Sequence, residues 1–200
     1  MKLDVIDKDP AFYKYFARPI IKFLMRLVFN PRYIGTENIP KDGRIVLAGN
    51  HTNNIDCWLI VASTKRCVHF LAKDSLYKGI KKPLFKHMGI IPVNRKIHDK
   101  DCLLAAKDFL NKERTIGIFP EGTINRTDDT IMPFKIGAVK MAHDTDSKIV
   151  PFVIKGKYKP FFNNLRIIYF KPISIKDDIL DNENEKLMNI IKEKLEDEEV

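Results

Sequence analysis

"RIVLAGNHTNNID" (Arg44–Asp56) sets an unbroken apolar run, Ile45–Ala48, directly against a glycine and a polar cluster. A short apolar run closed by a turn signal reads as a strand buried on both faces. Gly49 and the Asn53-Asn54 pair suit a tight turn. The 55–64 segment that follows reads as a helix. Strand, turn and helix in succession are the repeating unit of an α/β sheet. In such sheets ligands sit beyond the carboxyl ends of strands, which is where His51 falls.

The rest of the chain repeats the alternation. "VHFLAK" (68–73), "TIGIF" (115–119), "KIVPFVI" (148–154) and "LRIIYF" (165–170) read as strands, and "GIIPVNR" (89–95) as extended, because Pro92 disfavours helix at and before it. Helices are expected at 78–88, interrupted by Pro83, at 99–113, capped by Asp99 with Leu103, Leu104, Ala106 and Leu110 on one side, at 134–143, and at 183–196. The expected fold is α/β: a single domain with a largely parallel mixed sheet flanked by helices, over residues 34–200. Its C-terminal helix is acidic.

Residues 1–33 are expected to form a separate amphipathic helical segment. Within it, "AFYKYFARPIIKFLMRLVF" (11–29) interleaves apolar side chains with Lys14, Arg18, Lys22 and Arg26, spaced by four. On a helix these form one slowly drifting basic stripe. Pro19 is expected to kink the segment or split it. The apolar stretches are far shorter than the ~20 residues that span a bilayer. A helix packed on the domain and an interfacial element on an anionic membrane both fit the pattern.

Charge is unevenly spread. Residues 176–200 carry ten Asp/Glu against four Lys/Arg, −6, so residues 1–175 hold +15 of the chain's +9. So basic a body suits an anionic partner: nucleic acid, an anionic membrane surface, phosphorylated substrates or an acidic carrier protein. No basic–aromatic strand motif of the RNA-binding type supports nucleic acid. Cys57, Cys67 and Cys102 are widely spaced and odd in number, which suits neither a disulfide framework nor a zinc site. The first nine residues hold three aspartates and no basic run leading into an apolar one, so no secretory leader is expected.

Three segments carry chemistry. His51 and Asp56 would stand about 140° apart inside one helix. They can meet only if His51 lies in the turn and Asp56 in the first helical turn. A carboxylate on one imidazole nitrogen fixes the tautomer and leaves the other nitrogen as a base. Alternatively, Asp56 caps the helix and His51 is a turn residue. No G-x-S-x-G is present, so a base here would act on a substrate hydroxyl, and backbone amides near the 50–53 turn are candidates to hold the resulting oxyanion. Arg95 closes "GIIPVNR" with a guanidinium suited to phosphate. "FPEGTINR" (119–126) groups Glu121, Gly122, Thr123, Asn125 and Arg126 after a strand, and Lys135 and Gly137 open the next predicted helix, a common anion position.

In this order and at these separations, "NHTNNID", "GIIPVNR", "FPEGT" and "IVPFVI" resemble the glycerolipid acyltransferase family, 1-acylglycerol-3-phosphate acyltransferases most of all, across about residues 40–156. The resemblance implies that His51 is the general base and Asp56 its orienting partner. It implies that Arg95 binds the acceptor phosphate and that Glu121, Gly122 and Thr123 belong to the acceptor site, with Lys135 a second phosphate contact. Pro151 lies in the block tied to the acyl donor. The family often has Ser or Thr where this chain has Asn53, and commonly Arg where it has Ile124; Arg126 is the nearby substitute.

The expected activity is acyl transfer from a thioester, acyl-CoA or acyl-acyl carrier protein, to the hydroxyl of a lysophospholipid, with no metal and no cofactor. 1-Acylglycerol 3-phosphate is the expected acceptor. Another lysophospholipid, glycerol 3-phosphate, or a non-catalytic basic membrane-binding module are the competing readings. The expected location is peripheral or monotopic, on the cytoplasmic face of a membrane.

Overall fold

The computed structural model describes residues 11–73, 81–93 and 100–197. In chain order they form a π-helical turn (Tyr13–Ala17), α1 (Arg18–Val28), β1 (Arg32–Ile34), a 3-10 turn (Thr36–Asn38), β2 (Ile45–Gly49), α2 (Asp56–Ser63), β3 (Val68–Lys73), α3 (Lys81–His87), β4 (Ile91–Val93), α4 (Lys100–Asn111), β5 (Thr115–Ile118), α5 (Gly137–Asp144), β6 (Lys148–Lys155), β7 (Arg166–Tyr169), β8 (Ile173–Ser174) and α6 (Leu180–Glu196). The strands lie in the order β1-β7-β6-β2-β5-β3-β4, with β8 also on β6. All described pairings are parallel except β6–β7 and β6–β8. This is the predicted α/β fold with a largely parallel mixed sheet flanked by helices.

β2 is buried at every position, as its unbroken apolar run requires. Side chains alternate between two cores. Ile45 and Leu47 join the layer of α1 and α2; Val46 and Ala48 join that of α4, α5 and α6. Pro151 sits inside a central strand, where proline is rare. Its carbonyl accepts from Phe170 N–H, so its missing donor also faces the β7/β8 side. There β6 passes from one antiparallel partner to the other, and the ladder with β2 loses nothing.

Several boundaries differ from expectation. The N-terminal segment changes from π to α at Arg18, one residue before Pro19, which then occupies the first turn of α1, where proline costs little. Pro83 likewise sits in the first turn of α3 and does not break it. α4 buries Cys102, Ala106, Phe109 and Leu110, while Leu104 is 59% exposed; residues two apart on a helix stand 200° apart, so Leu104 cannot share a face with Ala106. α5 starts at Gly137 and not at Phe134, and β1 and β8 are too short to show in a pattern. The predicted cap Asp99 lies outside the described residues. Of the cysteines, Cys67 and Cys102 are buried and Cys57 is half-buried.

The π turn and α1 bury only a four-spaced row, Tyr13, Ala17, Ile21 and Met25, against α2 and the sheet. Phe16, Ile20, Phe23, Leu24 and Leu27 remain exposed beside Lys14, Lys22 and Arg26. Among the described residues, no helix is long and apolar enough to cross a membrane.

Candidate active site

β5, β2 and β6 are neighbours and parallel, so their carboxyl ends open side by side. The three loops that leave them carry Glu121, His51 and Tyr158. Asn50 governs how β2 departs. Its carboxamide donates to Ile154 O (3.0 Å) and accepts from Ile154 N–H (2.8 Å), continuing the β2–β6 seam through a side chain. The backbone is then free to turn.

The turn wraps around Asp56, which is fully buried at the start of α2. Asp56 Oδ2 accepts from the amides of Thr52 (2.6 Å) and Asn53 (2.8 Å) and from His51 Nδ1 (2.9 Å). Oδ1 accepts from Thr52 Oγ1 (3.1 Å) and from the Tyr158 hydroxyl (2.5 Å). The two backbone amides can only donate, which makes Oδ2 an acceptor, so Nδ1 of His51 facing the same oxygen carries the proton. The histidine and aspartate meet as the turn geometry predicted. Two amides expected to be available for an oxyanion, those of Thr52 and Asn53, are instead spent on Asp56, because the turn is built on that carboxylate. The third, of His51, is spent on Glu121.

Glu121 is 3% exposed. Its Oε1 accepts from His51 N–H (2.7 Å) and its Oε2 from Met132 N–H (3.0 Å). Asn125 N–H donates back to the His51 carbonyl (2.9 Å). The expected acceptor-binding glutamate therefore grips the histidine's backbone, and both its oxygens face the loop. Burial raises its pKa; the two amide bonds pull the other way.

Phe119 completes the support. Its ring stacks on the His51 imidazole at 4.0 Å between centroids and 9° between planes, and meets Phe152 edge-on. The imidazole is 16% exposed. Among the described residues its Nε2 has no hydrogen-bond partner, which leaves it available as a base.

Gly122 adopts φ +73°, and a Cβ there would lie 2.8 Å from Lys135 Nζ. The missing side chain lets Lys135 lie across the loop, one residue from Glu121. Thr123 is exposed nearby. Arg95 lies outside the described residues. Cys57 follows Asp56 directly, but burial, then the Asp56 charge, push its thiol up to about 12, so it is not a nucleophile at neutral pH. Among the described residues no three His, Cys, Asp or Glu side chains could hold a metal ion.

Tyr158 and Phe119 are the residues that sequence reading missed. Phe119 was visible as the end of a strand and the first residue of "FPEGT", but it was given no role. Tyr158 is 102 residues from Asp56 and lies in a loop with no pattern of its own. Burial and the Asp56 charge hold its pKa above the ordinary tyrosine value, so it stays a donor.

The chain matches the family described as Acyltransferase over residues 30–155. It is 31% identical over 171 residues, 80% of this chain and 68% of the other, to a protein of Borreliella burgdorferi named 1-acyl-sn-glycerol-3-phosphate acyltransferase. A Bacillus subtilis protein of the same name is 28% identical, across 72% of this chain and 71% of its own. A chloroplastic relative from Arabidopsis thaliana is 30% identical, and the chain spans only 45% of its length. The crystal structure of the 1-acyl-sn-glycerophosphate acyltransferase PlsC from Thermotoga maritima superimposes with a TM-score of 0.72 at 21% identity, over 92% of this chain and 77% of that one, and so shares its fold. The family match runs from the start of β1 to the end of β6, through the turn at His51 and the loop at Glu121, and the chain belongs to the acyltransferase family.

Proposed function

We propose that this O-acyltransferase moves an acyl group from a thioester, acyl-CoA or acyl-acyl carrier protein, to the free hydroxyl of 1-acylglycerol 3-phosphate, giving phosphatidic acid. The observation that carries the reading is the His51–Asp56 pair, 2.9 Å apart with the imidazole stacked on Phe119. The relatives' names supply the acceptor. Nε2 of His51 takes the hydroxyl proton as the oxygen attacks the thioester carbonyl carbon. The tetrahedral adduct collapses, the C–S bond breaks, and the leaving thiolate takes the proton from the imidazolium. Asp56 holds the imidazole in the Nδ1–H tautomer and stabilises its charge. Glu121 positions the histidine; Gly122, Thr123, Lys135 and Arg95 receive the phosphate-bearing acceptor.

The acceptor and product are bilayer lipids. The exposed apolar row of α1, with Lys14, Lys22 and Arg26 beside it, supports docking of residues 1–33 on an anionic leaflet, on the cytoplasmic face, with the 34–200 domain above it. A thioester is already activated, so the reading needs no metal or cofactor.

The test is product analysis by mass after incubation with a panel of lysolipids and both donors, for wild type and His51→Ala. The expected products include phosphatidic acid, and the variant loses about 10²- to 10⁴-fold in kcat. Near-normal turnover by His51→Ala would remove the base; acylation of another acceptor alone would replace the substrate.

A further inference from the structure

The loop from β6 to β7 has an inner and an outer side. Tyr158 points inward, its hydroxyl on Asp56 and its ring edge-on to Phe29, the residue after α1. Three residues on, the chain turns its aromatics outward: Phe161 is 77% exposed and Phe162 56%. Phe161 holds φ +64°, a left-handed conformation that is an outlier for a bulky side chain. The turn Lys159–Phe162 holds it there, closed by Phe162 N–H donating to Lys159 O (3.2 Å). The loop's neck is closed, since a Cβ on Gly156 would lie 2.1 Å from Asn164 O. The tip is therefore presented by a fixed frame.

Two further features say what meets it. Phe161 N–H donates to Val28 O (2.8 Å), the last residue of α1, so the tip sits against the end of the helix whose apolar row is exposed. And residues 155–171 carry Lys155, Lys157, Lys159, Arg166 and Lys171 with no Asp or Glu. Lys157 and Lys159 are exposed, and the Lys159 ammonium lies 4.6 Å over the Phe162 ring. Aromatic side chains flanked by lysines suit the boundary between acyl chains and anionic headgroups.

We propose that Lys157–Phe162 is a second leaflet-inserting element, in which Phe161 and Phe162 enter an anionic phospholipid surface and Lys157 and Lys159 hold its phosphates. The inference rests on the leaflet reading of α1. It adds a contact far along the chain from residues 1–33.

The test is co-sedimentation of the full chain with phosphatidylcholine vesicles, with and without phosphatidylglycerol. Phe161→Ser/Phe162→Ser is expected to lose about ten-fold or more in partitioning onto the anionic vesicles. Lys157→Gln/Lys159→Gln is expected to lose about ten-fold of the preference for anionic over neutral vesicles. Unchanged turnover on a short-chain, water-soluble acceptor verifies that the Phe161/Phe162 variant is folded. Phe16→Ser/Phe23→Ser, run beside them, separates the two ideas. If it loses binding while the tip variants partition like wild type, the tip proposal is overturned and the α1 reading stands. If no variant alters binding, both fall. Wild-type partitioning with a raised KM for acyl carrier protein overturns the proposal in favour of a protein partner.

Discussion

The Tyr158 hydroxyl donates to Asp56 Oδ1 at 2.5 Å, while Oδ2 of the same carboxylate receives the imidazole of His51 at 2.9 Å. One oxygen is held by the β6–β7 loop and the other holds the base. A hydrogen bond to a charged group contributes about 1.5–3 kcal/mol.

Tyr158→Phe keeps the ring and removes the donor. The carboxylate then orients the ring less well. The expected result is a fall in kcat of about ten-fold with little change in KM. A kcat that matches wild type would show that the phenol only fills space. Cys57 and Tyr33 also face the phenol, and Glu121 the histidine; none of them is altered by the substitution.

Glu121 gives a stability prediction with a definite sign. Its folded pKa lies above the ordinary value of 4.5, so the folded chain holds this proton more tightly than the unfolded one. The stabilisation is whole below 4.5 and is lost as pH rises through the folded value. Glu121→Gln abolishes the titration and leaves one backbone amide facing an NH₂ group. The variant should be less stable by about 1–3 kcal/mol at low pH, with the gap narrowing as pH rises. Urea unfolding at stepped pH measures it; a gap that widens with pH would mean that the amide bonds outweigh burial.

Phe119→Leu removes the flat face under the imidazole while keeping most of the volume. An aromatic pair contributes about 0.5–1.5 kcal/mol beyond burial, so the loss of stability should be modest. The loss in kcat should exceed it, because the ring plane is released. Equal effects on kcat and on the apparent acceptor affinity would count against an orienting role.

Gly122→Ala forces a Cβ into a left-handed position, at a cost of about 1–2 kcal/mol. The Cβ would also push the end of Lys135 aside. Thermal unfolding should report the first effect. A rise in KM for a phosphate-bearing acceptor, with the donor KM unchanged, should report the second.

The unbroken apolar runs at 45–48 and 149–154 made the buried parallel strands legible, because strands covered on both faces leave no polar alternation to misread. The His51–Asp56 pair was legible because a turn is the one geometry that joins residues five apart. Leu104 was misplaced because a run of adjacent apolar residues hides which of them faces inward. Glu121 was recognised as a site residue, yet its role was hidden: whether a carboxylate meets a substrate or a backbone amide depends on loops brought together by the sheet. Tyr158 left no local trace, since its partner lies 102 residues earlier, beyond the end of the neighbouring strand.

Asn50 lends its side chain to the edge of β6, standing in for a stretch of main chain. An aliphatic residue of similar size at this point would strip Ile154 of two partners at once, and a charged one would satisfy half of it. The histidine's loop thus hangs from a hinge made of a carboxamide. What separates reactive turn from rigid floor is a single polar graft whose loss would let that loop peel away from the sheet.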